Sequence, residues 1–239
     1  MMEIEKWLND VLEKKNKRAM PIITFPAATK LNISVKKLIN DTDQQVAALK
    51  IIKEECNPLA ILGFMDLSVE AECFGAEIKV TDNEVPTVVG QLIEDEDDAQ
   101  ALKVPAVGSG RSQLYIDAIK KTKAEIKDIP ILGGCIGPFS LAGRLMDVSE
   151  AMINCYEEPE MVHIVLEKAT KFLIDYISAY KEAGADGILM AEPLAGVLSP
   201  VLATEFSSTY VKKIVTAVQD ENFMVVYHNC GCLLYTSPS

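Results

Sequence analysis

Ile129-Pro-Ile-Leu-Gly-Gly-Cys-Ile136 runs directly into Gly137-Pro-Phe-Ser-Leu-Ala-Gly143. The first half is apolar almost throughout, the pattern of a strand buried on both faces. The second half opens with proline, which suits a helix start because its missing N–H would have no partner there. A buried strand that hands over to a helix is the repeating unit of a parallel α/β sheet. The unit recurs in both directions. Leu59 to Phe64 is another unbroken apolar run, ending in Met65-Asp66, with a helix expected from Ser68 to Phe74. Gly187 to Met190 ends at Glu192-Pro193, and Leu198-Ser-Pro200 opens a helix to about Gln219. Phe223 to Tyr227 is followed by His228-Asn-Cys230. Glu77 to Val80 reads as a short alternating strand.

The remaining segments read as cover. Glu3 to Lys17 has Ile4, Trp7, Leu8, Val11 and Leu12 spaced to share one helical face. Pro21 to Pro26 is apolar and proline-bounded, hence extended. Asp41 or Thr42 caps a helix to about Glu55. The acidic run Glu94 to Asp98 is a solvated loop or helix start, and Arg111 to Ile126 is a helix. Further helices are expected over Pro138–Met146, Ser149–Tyr156 and Glu160–Ala183. His163, mid-helix between Val162 and Ile164, reads as structural or exposed.

Composition narrows the function classes. Hydrophobic residues make up 49% and charged residues 24%, ordinary for a protein with an aliphatic core. A net charge of -12 repels phosphate backbones, so nucleic acid is excluded as an expected partner. No apolar run approaches the roughly 20 residues of a membrane span, and the start carries no apolar signal core. Six cysteines are scattered rather than set at framework spacings, which fits free thiols in a reducing cytoplasm.

Asp66, Cys135, Glu192, His228 and Cys230 all fall at the C-terminal ends of expected strands. That is the catalytic face of a (β/α)8 barrel and equally the ligand side of an open doubly wound sheet. No Gly-x-Gly-x-x-Gly or P-loop lysine motif is present, which counts against a nucleotide fold. Side chains two apart on a strand point the same way, so His228 and Cys230 converge while Asn229 faces elsewhere. Imidazole nitrogen and thiolate sulfur are ligand types that zinc prefers. The alternative is a buried histidine beside a structural cysteine.

Gly137-Pro-Phe-Ser-Leu-Ala142, Ala183-Gly-Ala-Asp-Gly-Ile188, Leu198-Ser-Pro200 and His228-Asn-Cys-Gly231 together resemble the uroporphyrinogen decarboxylase superfamily. Met65-Asp-Leu-Ser-Val-Glu-Ala-Glu72 with Phe74-Gly-Ala-Glu-Ile78 is similar to its corrinoid-dependent methyltransferase branch. The resemblance implies a (β/α)8 TIM barrel, of which residues 1–231 carry an N-terminal fragment of about five strands. It implies zinc held by His228, Cys230 and a further cysteine beyond Gly231. It implies methyl transfer from a methylcobamide, presented by a corrinoid protein, to a small thiol such as coenzyme M. By the same resemblance Asp66 and Glu192 are candidate catalytic residues, and Asp66 and Ser199 candidate substrate contacts.

Each of these residues also has a plainer reading. Asp66 can cap the helix that starts at Ser68, Glu192 can form a loop ion pair, and Ser199 can cap its own helix. Cys135 packs as a small apolar residue. A porphyrinogen decarboxylase would want cations near its N-terminus for a many-carboxylate substrate. The matching stretch has only Lys15, Lys17 and Arg18, and nothing cationic from Ala19 through Thr29. That leaves a decarboxylase-like lyase, or a barrel that binds corrinoid or metal without turnover, as the alternatives. Cys232 to Ser239 resembles the translation of a transposase-type sequencing adapter, so the tail is expected to be non-native and the fragment inactive.

Overall fold

The computed structural model describes residues 3–230. From the N-terminus the elements are α1 (Ile4–Glu13), α2 (Ala27–Leu31), α3 (Val35–Ile39), α4 (Thr42–Cys56), β1 (Ile61–Leu62) and α5 (Val69–Phe74). Next come β2 (Glu77–Lys79), β3 (Thr87–Val89), α6 (Glu96–Ala101), α7 (Ser112–Glu125) and β4 (Ile131–Ile136). Then α8 (Pro138–Met146), α9 (Val148–Glu157) and α10 (Pro159–Glu182) lead to β5 (Gly187–Ala191). A 3-10 turn (Pro193–Val197), α11 (Pro200–Ala203), a π turn (Thr204–Ser208) and α12 (Thr209–Val218) connect to β6 (Met224–His228).

Among the described residues β1, β4, β5 and β6 form one parallel sheet in that order. The strand expected over Glu77–Val80 is not in it. β2 pairs antiparallel with β3 in a separate hairpin, so four parallel strands stand where about five were expected. The reason is exposure: Glu77 and Lys79 face solvent on either side of a half-buried Ile78. A segment with one covered face cannot sit in a sheet covered on both. β1 is also shorter than its apolar run. It pairs only through Ile61↔Ile131 and Leu62↔Leu132, after which the chain crosses over Gly134.

One sheet face packs under the helices through Ile61, Ile131, Cys135, Ile188 and Met190. The other carries Leu62, Leu132, Leu189, Ala191 and Met224, partly covered by Ile4 and Trp7 of α1. The rest of the face expected on α1 is not buried: Leu8 is 46% and Leu12 is 73% exposed. Caps fall largely where the sequence puts them. Asp41 accepts from the Asp43 and Gln44 N–H groups, and Asp95 in the acidic run accepts from Asp98 N. The adapter-like tail and Gly231 lie outside the described residues.

Candidate active site at the strand ends

Asp66 follows β1 and is 4% exposed. Its Oδ1 accepts from Ser68 N at 3.1 Å and from the Ser68 hydroxyl at 2.6 Å. Its Oδ2 accepts from the Tyr115 hydroxyl at 2.8 Å and from Arg111 Nη1. Arg111 also donates to Glu72 Oε2 at 2.7 Å and to Ser68 Oγ at 2.9 Å. Four donors thus occupy the Asp66 carboxylate. Burial alone would push the Arg111 guanidinium down, but Asp66, Tyr115 and Glu72 carry it above its ordinary value. Burial and then the Asp66 charge push the Tyr115 phenol well up. Sequence reasoning missed Arg111. Its one signal is an isolated cation in the turn Gly108-Ser-Gly-Arg-Ser112 just before α7.

Glu192 stands just past β5 and is fully buried. It reaches back to the α8 N-terminus, where Oε1 accepts from Ser140 N at 2.5 Å and Oε2 from Phe139 N at 3.3 Å. A carboxylate suits the positive end of a helix. Gly137 makes the approach possible, since a Cβ there would stand 1.9 Å from Glu192 Oε2. Burial pushes the carboxyl up to about 7 even though Ser140 and the backbone donors pull it back. The Glu192 N–H donates to the His228 carbonyl at 2.9 Å, tying the end of β5 to the end of β6.

His228 ends β6, and its Nε2 lies 2.9 Å from Cys230 Sγ. The pair converges as period two requires. His228 is half-buried and Cys230 exposed, so the pair opens to solvent. The two are in hydrogen-bond contact, and widening to the roughly 3.5 Å between tetrahedral ligands would let this open nitrogen and sulfur pair share one ion, a donor set that fits zinc. No group of three or more His, Cys, Asp or Glu side chains suited to a metal occurs among the described residues.

The other candidates are dispersed. Cys135 is buried in β4, and burial, then the charges of Glu70 and Glu192, push its thiol well above the ordinary range. It packs, as expected of a small apolar residue. Ser199 is exposed and caps α11, accepting from Leu202 N at 3.4 Å. His163 lies in the helical layer, where Nδ1 meets the Tyr210 hydroxyl at 2.7 Å and the ring stacks on Phe206.

The chain spans about half the length of the curated relatives it matches. Methylcobamide:CoM methyltransferase MtbA of Methanosarcina acetivorans is 33% identical over 171 residues, 70% of this chain and 50% of the relative. Uroporphyrinogen decarboxylase of Flavobacterium johnsoniae is 28% identical over 184 residues, 73% of this chain and 52% of the relative. A solved methyltransferase from Methanosarcina mazei superposes with a TM-score of 0.84 at 24% identity, over 97% of this chain and 71% of that one, which shows a shared fold. The family model for uroporphyrinogen decarboxylase (URO-D) matches residues 17–237, so the chain belongs to that family.

Proposed function

We propose that the whole protein is a cytoplasmic methyltransferase that moves a methyl group from a methylcobamide, carried by a corrinoid protein, to a small thiol such as coenzyme M. The observation that carries this reading is the 2.9 Å convergence of His228 Nε2 and Cys230 Sγ at a strand end that opens to solvent. The similarity to a methylcobamide:CoM methyltransferase supports it. His228 and Cys230 would hold zinc together with a further ligand beyond the described residues. Zinc bound there would supply a lowered thiol pKa, so that the acceptor reacts as its thiolate. The residues of this chain then bind and orient. Glu192 fixes the end of β6 through the His228 carbonyl, and Asp66 with Arg111 and Tyr115 braces the loop after β1. The closed barrel itself is part of this proposal.

A decarboxylase-like lyase is the second reading, because a family relative carries that name. Two features weigh against it. The Asp66 oxygens are already taken by four protein donors, and Ala19 to Thr29 offers no cation for a carboxylated ring. The test is to supply zinc-loaded full-length protein with methylcobalamin and coenzyme M, and separately with uroporphyrinogen. Thiol-dependent loss of the methyl–cobalt spectrum is expected. Carbon dioxide release from the porphyrinogen with no demethylation would overturn the proposal in favour of the lyase. Neither reaction would leave a non-catalytic binding barrel.

A further inference from the structure

β4 loses its neighbour on one side before it ends. Towards β5, Ile131 O accepts from Asp186 N and Gly137 N donates to Ala191 O. Towards β1, Gly63 N donates to Leu132 O at 2.7 Å. Because β1 pairs only with Ile131 and Leu132, no β1 carbonyl stands opposite the Ile136 N–H, which points to the same side. A buried amide needs an acceptor from somewhere. Glu70, carried on α5 and 2% exposed, supplies it: Oε1 accepts from Ile136 N at 2.9 Å.

We propose that Glu70 is a positioning residue whose carboxyl stands in for the missing strand carbonyl and fixes the end of β4. From there a line of backbone bonds crosses the mouth of the sheet. Gly137 N donates to Ala191 O at 2.7 Å and Glu192 N donates to His228 O at 2.9 Å. The step from Glu70 to His228 as a ligand rests on the proposed zinc site; the clamp on β4 does not.

Burial favours the neutral acid and outweighs the Ile136 N–H, which favours the carboxylate. Asp66 opposes ionisation of Glu70, while Arg111 on the α7 side favours it. Tyr176 and Tyr180 face it from α10, Cys135 from β4 and Cys73 from its own helix. Burial is the largest influence and pushes the carboxyl up to about 7. No other residue among those described offers Oε2 a hydrogen bond, so compensation for a charge on Glu70 comes only from the Ile136 side and from Arg111.

Amide hydrogen exchange on the whole chain tests this, comparing wild type, E70Q and E70A at pH 6 and pH 8 after correction for intrinsic rates. E70A is expected to exchange at least tenfold faster from Gly134 to Ser140 and from Met190 to Glu192, with α4 and α12 within twofold. E70Q keeps the acceptor and cannot ionise, so it is expected within threefold of wild type at pH 6 and slower than wild type at pH 8. Uniform acceleration across the chain in E70A would overturn the proposal, as would no acceleration at Ile136. If E70A does not fold, E70Q decides at pH 6: since its amide oxygen keeps the acceptor, exchange at Ile136 more than tenfold faster than in wild type refutes the role. Zinc uptake is measured on the same samples. A wild type that takes none removes the metal reading and leaves the exchange result standing.

Discussion

The Glu192 carboxyl occupies the space that a side chain at Gly137 would need, with Oε2 1.9 Å from the position of a Cβ. The two residues interlock the end of β5 with the turn that opens α8. Glu192 is also bonded through its N–H to the His228 carbonyl, so a change at Gly137 is expected to reach the end of β6.

Gly137→Ala is therefore expected to displace Glu192 and strip Phe139 and Ser140 of their shared acceptor. Overpacking a dense interior costs about 1–3 kcal/mol. Urea denaturation should show a loss of that size with an unchanged slope. A midpoint equal to that of wild type would show that the carboxyl has another place to sit.

Stability should fall with pH through Glu70. Its folded-state pKa, raised by burial to about 7, lies above the unfolded value of 4.5. The neutral acid binds its proton more tightly in the folded state, so its contribution is full below about pH 4.5. It declines as pH rises and is gone above about 7. Each pKa unit corresponds to about 1.4 kcal/mol, so the decline is on the order of 3 kcal/mol. Denaturant midpoints of E70Q followed from pH 5 to pH 8 should be flatter than those of wild type. Parallel curves would mean that Glu70 does not titrate in this range.

Arg111 holds a buried carboxylate, Asp66 at 0% side-chain exposure, and a half-buried one, Glu72 at 28%. Arg111→Met would leave both without their cation, and breaking such a pair costs about 3–5 kcal/mol. Combining it with Asp66→Asn should recover part of that loss, since less charge then remains buried. A double-mutant cycle reads the coupling, and additivity would contradict the network.

What the sequence revealed and concealed follows from range. Buried strands such as 131–136 announce themselves because apolar runs are local, and period two brings His228 and Cys230 together without further information. The helix starts at Pro138 and Asp41 are local in the same way. The Asp66–Arg111 pair joins residues 45 apart, and the Glu70–Ile136 bond joins residues 66 apart. No spacing rule reaches those. The strand expected over Glu77–Val80 forms at Glu77–Lys79, but its antiparallel partner Thr87–Val89 was not legible because a short alternating strand carries no mark of its partner. The excess length expected of β1 arose because hydrophobicity continues through Phe64 while the ladder stops at Leu62.

In the proposed function, His228 and Cys230 hold a zinc that binds an acceptor thiol as its thiolate. Calorimetric titration of coenzyme M into zinc-loaded full-length protein, repeated in buffers of different ionisation enthalpy, measures it directly. Close to one proton is expected to be released per thiol bound at neutral pH, with His228→Ala and Cys230→Ser losing both zinc and proton release. Tight thiol binding without proton release, or unchanged release in the two variants, would contradict it.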